Sequence, residues 1–125
     1  MPTMSLQDTH AETVRLDTPE LVRRLISHLG TTAVATLAGV RDRTLPNKWK
    51  RADGPTPRLE ALRRLQDAHR AWVLIATAES DHTARAWFIG SNPMLDEDAP
   101  LIALRDDRRK EVLAAAQAFV AGTAD

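Results

Sequence analysis

The sequence predicts a small all-α protein, and three observations support this fold class. Apolar residues recur at helical spacing, residues typical of helix caps precede these stripes, and glycines end them. The apolar run at residues 71–76 alone has the composition of a buried strand, but it continues a helical stripe without a break. We therefore expect at least five helices and no sheet, in one domain or in two small modules that share a core.

The first expected elements are an arm and a helix. Residues 1–17 are mostly polar, and we interpret them as a disordered arm. Asp17 or Thr18 then provides a helix cap, Pro19 fits the first turn, and the apolar stripe that follows ends at Gly30. This pattern predicts a helix that stops just before the glycine.

Two short helices are expected before the longest one. Thr31 or Thr32 caps the first of them, which ends at Gly39. The second begins after Val40, and Gly54 closes its segment.

A long helix is predicted from Pro57 to about Ala78. Its apolar stripe comprises Leu59, Leu62, Leu65, His69, Trp72, Val73 and Ala76. Because the chain offers few other elements to cover this stripe, we expect a homodimer formed partly by this helix.

The C-terminal part contains shorter elements. A helix at residues 82–89 is followed by a turn at residues 90–93, an acidic loop at residues 96–98 and a short helix around residues 101–104. Residues 106–107, both aspartates, start the last helix. The residues that this helix buries are Val112, Ala115, Ala116 and Phe119.

Composition narrows the classes of function. The chain has no cysteine, which removes disulfide frameworks and thiolate sites and suits a reducing compartment. Its start has neither a basic leader nor an apolar run of signal-peptide length. The longest charge-free stretch, residues 29–40, is far shorter than the about 18 to 20 apolar residues that span a bilayer. We therefore expect a cytoplasmic protein with no membrane role.

Charge is unevenly distributed along the chain. Residues 1–74 contain twelve Lys or Arg against eight Asp or Glu, whereas residues 75–125 contain five against nine. A basic first part and an acidic second part predict two surfaces with different partners.

The basic part contains a helix-turn-helix pattern. Ala35 is small enough for a close helix crossing, and Gly39 can adopt the positive φ of the turn. Val40 and Leu45 can pack the second helix onto the first. Nearby are side chains of the kinds that bind phosphates and base edges, and we interpret them as DNA-binding: Arg41, Arg43, Asn47, Lys48, Lys50 and Arg51. The alternative is an ordinary helical hairpin with a solvated basic face.

Pro46 departs from this pattern. A proline inside a recognition helix removes a backbone donor and clashes with the preceding turn. Either the helix begins later, near residues 44–46, or it is kinked. Trp49 also lies one residue later than expected after Leu45.

A second constellation lies in the C-terminal part, and we call it the C-terminal signature. It comprises the pair Trp87-Phe88, an N-P-x-L turn at residues 92–95, a P-L-x-x-L step at residues 100–104, and Val112 early in the last helix. Two adjacent aromatic residues cannot both face one core from a helix, so we expect one of them to be exposed as an anchor for a protein partner. The alternative, which we would favour for an isolated pair of this kind, is that both are partly buried in the core.

Motifs for catalysis are missing from the sequence. The four histidines are widely spaced, and none forms a metal-ligand pair at i, i+3 or i, i+4. There is neither a glycine-rich phosphate loop nor a G-x-S-x-G motif. We therefore expect no enzyme and no catalytic residue, metal or cofactor.

The two constellations together resemble the MbcA/ParS/Xre antitoxin family, over about residues 20–122. The C-terminal signature is the more specific part of the resemblance. It implies an all-α fold in which an Xre-like helix-turn-helix region at residues 18–78 precedes a small helical toxin-binding domain at residues 79–125.

The resemblance also implies a function. Members of the family are antitoxins of type II toxin–antitoxin systems that neutralise a RES-type, NAD-degrading toxin by blocking its active site, and they commonly repress their own operon. On this basis the toxin-binding residues are Trp87, Phe88, Asn92, Pro93, Leu95, Pro100 and Phe119. Two alternatives stay open: a stand-alone helix-turn-helix transcriptional regulator without a toxin partner, and an adaptor whose helix-turn-helix serves only as a dimerisation scaffold.

Overall fold

The structure, a computed structural model, describes residues 4–123 and is all-helical over that range, as predicted. The helices are α1 (Leu6–Val14), α2 (Thr18–Leu29), α3 (Thr31–Ala38), α4 (Leu45–Trp49), α5 (Leu59–Ala78), α6 (Asp81–Ile89), α7 (Pro100–Arg105) and α8 (Arg109–Thr123). A 3₁₀ turn, Pro93–Leu95, lies between α6 and α7. Within the described range, none of the helices combines the length and the apolar content that a membrane span requires.

The central element is α5, against which α1, α2, α3, α6, α7 and α8 all pack. Leu65 and Ile75 are fully buried, and Trp72 stacks on His28 of α2 with ring centroids 4.2 Å apart. The apolar run at residues 71–76 is helical, as predicted. Apart from Leu59, which is 58% exposed, the stripe of α5 is buried or half-buried within one chain, so the reason for expecting a homodimer through this helix is weakened. The homodimer itself stays a prediction.

Both parts of the chain share one core. Residues from the region at 18–78 and from the region at 79–125 belong to a single cluster of buried apolar side chains. The boundary drawn at residue 79 therefore runs through a continuous core rather than between two separate ones.

Residues 6–14 form α1, so the prediction of a disordered arm over residues 1–17 is wrong for this segment. Residues 1–3 lie outside the described range. A capping box starts the helix: the Ser5 hydroxyl accepts a hydrogen bond from the Asp8 amide (3.0 Å), and the Asp8 carboxylate accepts one from the Ser5 amide (3.2 Å). The segment carries no apolar stripe, because the side chains that α1 buries are threonines.

The sequence predicts the cap of α2 correctly and the cap of α3 incorrectly. The Asp17 side chain caps α2 by accepting a hydrogen bond from the Glu20 amide at 2.9 Å, as predicted. Gly30, with φ of 87°, ends α2 and at the same time begins α3. Neither Thr31 nor Thr32 therefore caps α3, because both already lie inside it.

Arg64 of α5 joins the end of α3 to the turn between α7 and α8. Its Nη1 donates to the Ala38 carbonyl at 2.8 Å, and its Nε and Nη2 donate to the two carboxylate oxygens of Asp107, each at 2.9 Å. Gly39 makes this approach possible: its φ of 80° ends α3, and a Cβ there would lie 2.5 Å from Nη1 of Arg64. One guanidinium thus satisfies a helix terminus and forms a bidentate ion pair.

The last helix begins later than the sequence predicts. α8 begins at Arg109, so neither Asp106 nor Asp107 lies at its cap position. Asp107, with φ of 61°, points to Arg64 instead, and the hydrogen bonds from that guanidinium lower the pKa of the Asp107 carboxyl.

We predict that Gly39→Ala lowers the free energy of unfolding by about 1–3 kcal/mol, because it adds positive-φ strain and displaces Arg64 from the Ala38 carbonyl. In an Arg64→Ala background only the strain remains, so the effect of Gly39→Ala should shrink by about 1 kcal/mol. Urea denaturation of the two single variants and the double variant measures this difference. Equal effects in both backgrounds would contradict the contact between residues 39 and 64.

Candidate functional site

The candidate DNA-binding residues cluster on α4 and the segments beside it. Two of them precede α4, two lie within it and two follow it; they are Arg41, Arg43, Asn47, Lys48, Lys50 and Arg51, which we call the basic surface. Lys50 is half-buried and the other five are exposed. Over residues 4–123, none of the five cations forms a salt bridge. Their charges are free to contact an external anion.

Both flanks of α4 are fixed by local contacts. Before it, the Asp42 carboxylate accepts hydrogen bonds from the hydroxyl (2.6 Å) and the amide (2.9 Å) of Thr44, and these bonds lower the pKa of the carboxyl. After it, any side chain at Gly54 would collide with the Lys48 carbonyl oxygen, so this turn lies directly against α4. Trp49, 4% exposed, anchors the helix in the core. The basic surface therefore stands on a rigid support.

The geometry of α3 and α4 agrees with the helix-turn-helix pattern at some positions and departs from it at others. Ala35 is buried and Gly39 adopts the left-handed conformation, as the pattern requires. Pro46 lies in the first turn of α4, where its missing N–H is not needed, so the helix begins late rather than being kinked. However, α4 has five residues, and residues 39–44 separate it from α3. So short a helix offers little more than one turn to a groove of DNA.

A cleft of about 620 Å³ lies beside the basic surface. Its lining combines apolar side chains with basic and acidic ones: Val40, Leu45, Trp49, Arg41, Arg58, Arg64, Asp42 and Glu60. The cleft can therefore accommodate an apolar group of a partner that binds at the basic surface.

Trp87 and Phe88 are both buried, with 9% and 0% of their surface exposed. The Phe88 ring lies 6.1 Å from that of Trp72 in α5, and Trp87 meets Phe88 edge-on at 5.1 Å. The expectation that one of the pair is exposed is wrong, and the alternative, that both belong to the core, is correct. The reason is that α6 packs against α5, α7 and α2, so adjacent residues on it find apolar neighbours in different directions.

The rest of the C-terminal signature builds turns and core. The Asn92 side chain accepts a hydrogen bond from the Met94 amide at 2.9 Å, and Pro93 opens the 3₁₀ turn. The remaining signature residues that are buried are Leu95, Pro100, Leu104 and Val112. Of the seven predicted toxin-binding residues, the four buried ones cannot offer their side chains to a partner in this conformation: Trp87, Phe88, Leu95 and Pro100. Asn92 and Phe119 are half-buried, and Pro93 is exposed.

Two apolar residues of the same segment are exposed instead. Ile89, the last residue of α6, is 58% exposed, and Met94, in the 3₁₀ turn, is 54% exposed. We call residues 89–94, which also contain the exposed Pro93, the apolar segment. The sequence did not point to Ile89 and Met94, because the signature residues were interpreted as contacts with a partner protein rather than as core positions. The sequence feature that could have identified them is the presence of apolar residues between the signature positions.

The acidic loop at residues 96–98 is held by Arg108. Its guanidinium donates to the Leu95 carbonyl (3.2 Å) and forms ion pairs with Asp96 (3.2 Å), Asp98 (3.3 Å) and Glu111 (2.6 Å). Much of the acidic surplus of the C-terminal part is therefore paired within the chain. Sequence reasoning missed this arginine, because nothing in its immediate neighbours shows that three carboxylates converge on it.

Comparison with models of protein families, with curated proteins and with solved structures finds no match to this chain. The resemblance to the MbcA/ParS/Xre antitoxin family therefore depends on the residues described above. Within residues 4–123 there is no group of three or more His, Cys, Asp or Glu side chains that could hold a metal ion.

We predict that Phe88→Ala lowers the free energy of unfolding by about 3–5 kcal/mol, because it leaves a cavity in the core. The neighbouring Ile89→Ala is the matched control and should change it by less than about 0.5 kcal/mol, because Ile89 is exposed. Chemical denaturation measures both values. Similar losses for the two variants would contradict the orientation of α6.

Proposed function

We propose that this protein is a non-catalytic antitoxin of a type II toxin–antitoxin system and that it binds a RES-type toxin. The observation that carries the proposal is the coherence of the C-terminal signature. Phe88 and Leu95 fill the core, Asn92 caps a turn, and Pro93 and Pro100 begin elements at positions that suit proline. A motif in which each residue has a structural task is better explained as the signature of a folded module than as a chance match.

The toxin contact in this proposal is the apolar segment rather than the signature itself. Ile89 and Met94 are the large exposed hydrophobic residues of the C-terminal part of the described chain. Exposed apolar side chains beside a turn are typical anchors of protein interfaces, where a few residues supply most of the binding energy. An inhibitor of this kind needs no catalytic group, since it acts by covering the entrance of the toxin's active site.

The first test of the proposal is co-purification. A RES-type toxin encoded next to this gene should co-purify with the protein and lose its NAD-degrading activity in the complex. If the adjoining reading frames include no such toxin and a RES-type toxin supplied in trans stays active, the antitoxin proposal is wrong.

We predict that the double variant Ile89→Asp/Met94→Asp weakens toxin binding by at least about 30-fold, since it places two charges at the interface anchor. Growth rescue and affinity measurement both report this loss. The control is Leu59→Asp, which changes an equally exposed hydrophobic residue on α5 and should leave binding intact. Unchanged rescue by the double variant, with its melting temperature preserved, would place the toxin contact elsewhere.

The basic surface favours a second candidate function, DNA-binding transcriptional regulation, either of the protein's own operon or as a stand-alone regulator. Its five cations are free of ion-pair partners among the described residues, and the turns beside α4 hold them in place. Because α4 is only five residues long, we expect phosphate contacts to dominate over contacts with base edges.

We predict that Lys48→Ala reduces the salt dependence of binding to the gene's own upstream DNA by about one in log–log slope, for all sequences alike. Arg85 of α6 is also exposed and, within the described residues, also without an ion-pair partner, so Arg85→Ala is the matched control with no expected change. Fluorescence anisotropy at several salt concentrations measures the slope. Wild-type protein without salt-dependent affinity for this DNA would rule out the regulatory function.

A further inference from the structure

The contact of α1 with the rest of the protein is unusually polar for a packed helix. The helix packs mainly on α5, and its fully buried side chains are Thr9 and Thr13. Met4 and Leu6 near its start and Leu16, two residues beyond its end, are half-buried and pack against the core, whereas Val14 is 55% exposed. The central turns of α1 therefore bury hydroxyl side chains against α5, and the apolar contacts of the segment lie at its two ends.

Hydrogen bonds to α5 supply much of what fixes α1 in place. Thr13 Oγ1 and His69 Nδ1 share a buried hydrogen bond of 2.7 Å, and Arg70 Nη2 donates to the Leu6 carbonyl at 3.3 Å. The Arg70 Nε is buried and has no hydrogen-bond partner in the described chain. A cleft of about 280 Å³ also remains between the start of α1 and the α5–α8 pair, next to Leu74 and Gln117. The contact between α1 and α5 thus leaves one buried hydrogen-bond donor without a partner and one cleft unfilled.

The face of α5 near α1 carries ionisable groups that gain hydration when they are uncovered. Asp67 is 5% and His69 is 1% exposed. Burial raises the pKa of the Asp67 carboxyl even though Arg109 pairs with it at 2.9 Å, and it lowers the pKa of the Arg70 guanidinium. Water would solvate these groups better than the protein does, which offsets part of the cost of releasing α1.

We propose that α1 is a releasable helix that closes a helix-binding groove on α5, latched by the hydrogen bond between Thr13 and His69. The rest of the domain keeps its fold when α1 leaves, because the other seven helices form the shared core. The groove then accepts a helix from a partner protein. This function is separate from the basic surface and from the apolar segment, and it does not depend on the antitoxin proposal.

The resident helix indicates the chemistry of the partner. The groove accepts two small hydroxyl side chains four residues apart, in the places of Thr9 and Thr13, with the second one bonded to His69. Apolar side chains in the places of Leu6 and Leu16 flank them, and the Leu6 carbonyl, which also accepts a hydrogen bond from the Thr9 hydroxyl at 2.8 Å, meets Arg70. The partner is therefore an amphipathic helix with the pattern L-x-x-T-x-x-x-T-x-x-L, in which serine can replace threonine.

Protonation of His69 works against the latch. Burial lowers the pKa of His69 to about 4, and Arg24 and His28, which approach it from α2, lower it further in the same direction, while Thr13 faces it from α1. When α1 leaves, hydration raises the pKa of His69 toward an upper limit of about 6.5, while Arg24 and His28 still lower it, so the released state takes up the proton more readily. The latch is complete above about pH 6.5 and weakens as the pH falls from there toward 4. At pH 5.5 the population of the released state rises by up to about tenfold.

Cysteine labelling of the native full-length protein measures the release, since the chain has no cysteine of its own. Thr9→Cys places a thiol on the buried face of α1. It should react with a thiol reagent at least about 100-fold faster than Ala84→Cys in the core of α6, because residue 9 needs only the local release of α1. Val14→Cys, on the exposed face of α1, supplies the unprotected rate at each pH. From pH 7.5 to pH 5.5 the opening at residue 9 should rise by up to about tenfold, and His69→Gln should abolish this rise. Equal protection at residues 9 and 84 would show that α1 belongs to the core and would overturn the proposal.

A peptide of residues 4–17 tests the groove. Thr13→Arg in the full-length protein puts a bulky cation beside His69 and Arg70, so the variant should bind the labelled wild-type peptide. The wild-type protein should bind it at least about tenfold more weakly, because its own tethered helix competes at millimolar effective concentration. Val14→Arg, on the exposed face, should behave as wild type. Loss of the near-ultraviolet circular dichroism of the core in Thr13→Arg, or a folded variant that binds no peptide, would overturn the proposal.

Discussion

Arg64 contacts both the end of α3 and the turn before α8, two segments that lie far apart in the sequence. One guanidinium bonds the last carbonyl of α3, on the side of the basic surface, and the carboxylate of Asp107, in the turn that leads into α8. The contact requires the absence of a side chain at Gly39, and it fixes where α8 begins. This contact adds to the apolar packing of α3 against α5 and α7, and it therefore helps to set the relation between the two candidate surfaces.

Much of the fold was predictable because its signals are local. The Asp17 cap, the left-handed Gly39 and the helical interpretation of residues 71–76 depend on nearby residues, and the structure confirms each of them. The docking of α1 was not predictable, since a helix that buries threonines shows no apolar stripe. The ion pair of Arg64 joins residues 43 positions apart, so no spacing rule indicates it.

Some features of the candidate sites were likewise predictable from local sequence, and others depend on the whole fold. The exposure of most of the basic surface was predictable from its place around a short local pattern, because cations in contact with solvent need no particular distant neighbour. The burial of Trp87 and Phe88 depends on how many helices surround α6, which is a property of the whole fold. Four of the seven residues expected to contact a partner are therefore buried, whereas Ile89 and Met94, which lie between the signature positions, are exposed.

The position of α5 has a consequence for how the protein comes apart. Its flanks are covered by helices that precede it and by helices that follow it, so each half of the chain contributes to the burial of the other. A protease that cuts after Ala78 would leave one piece with the uncovered flank of α5 and another piece with no central helix. Neither piece alone has a closed core, so after a cleavage in the short connection between α5 and α6 each piece depends on staying bound to the other.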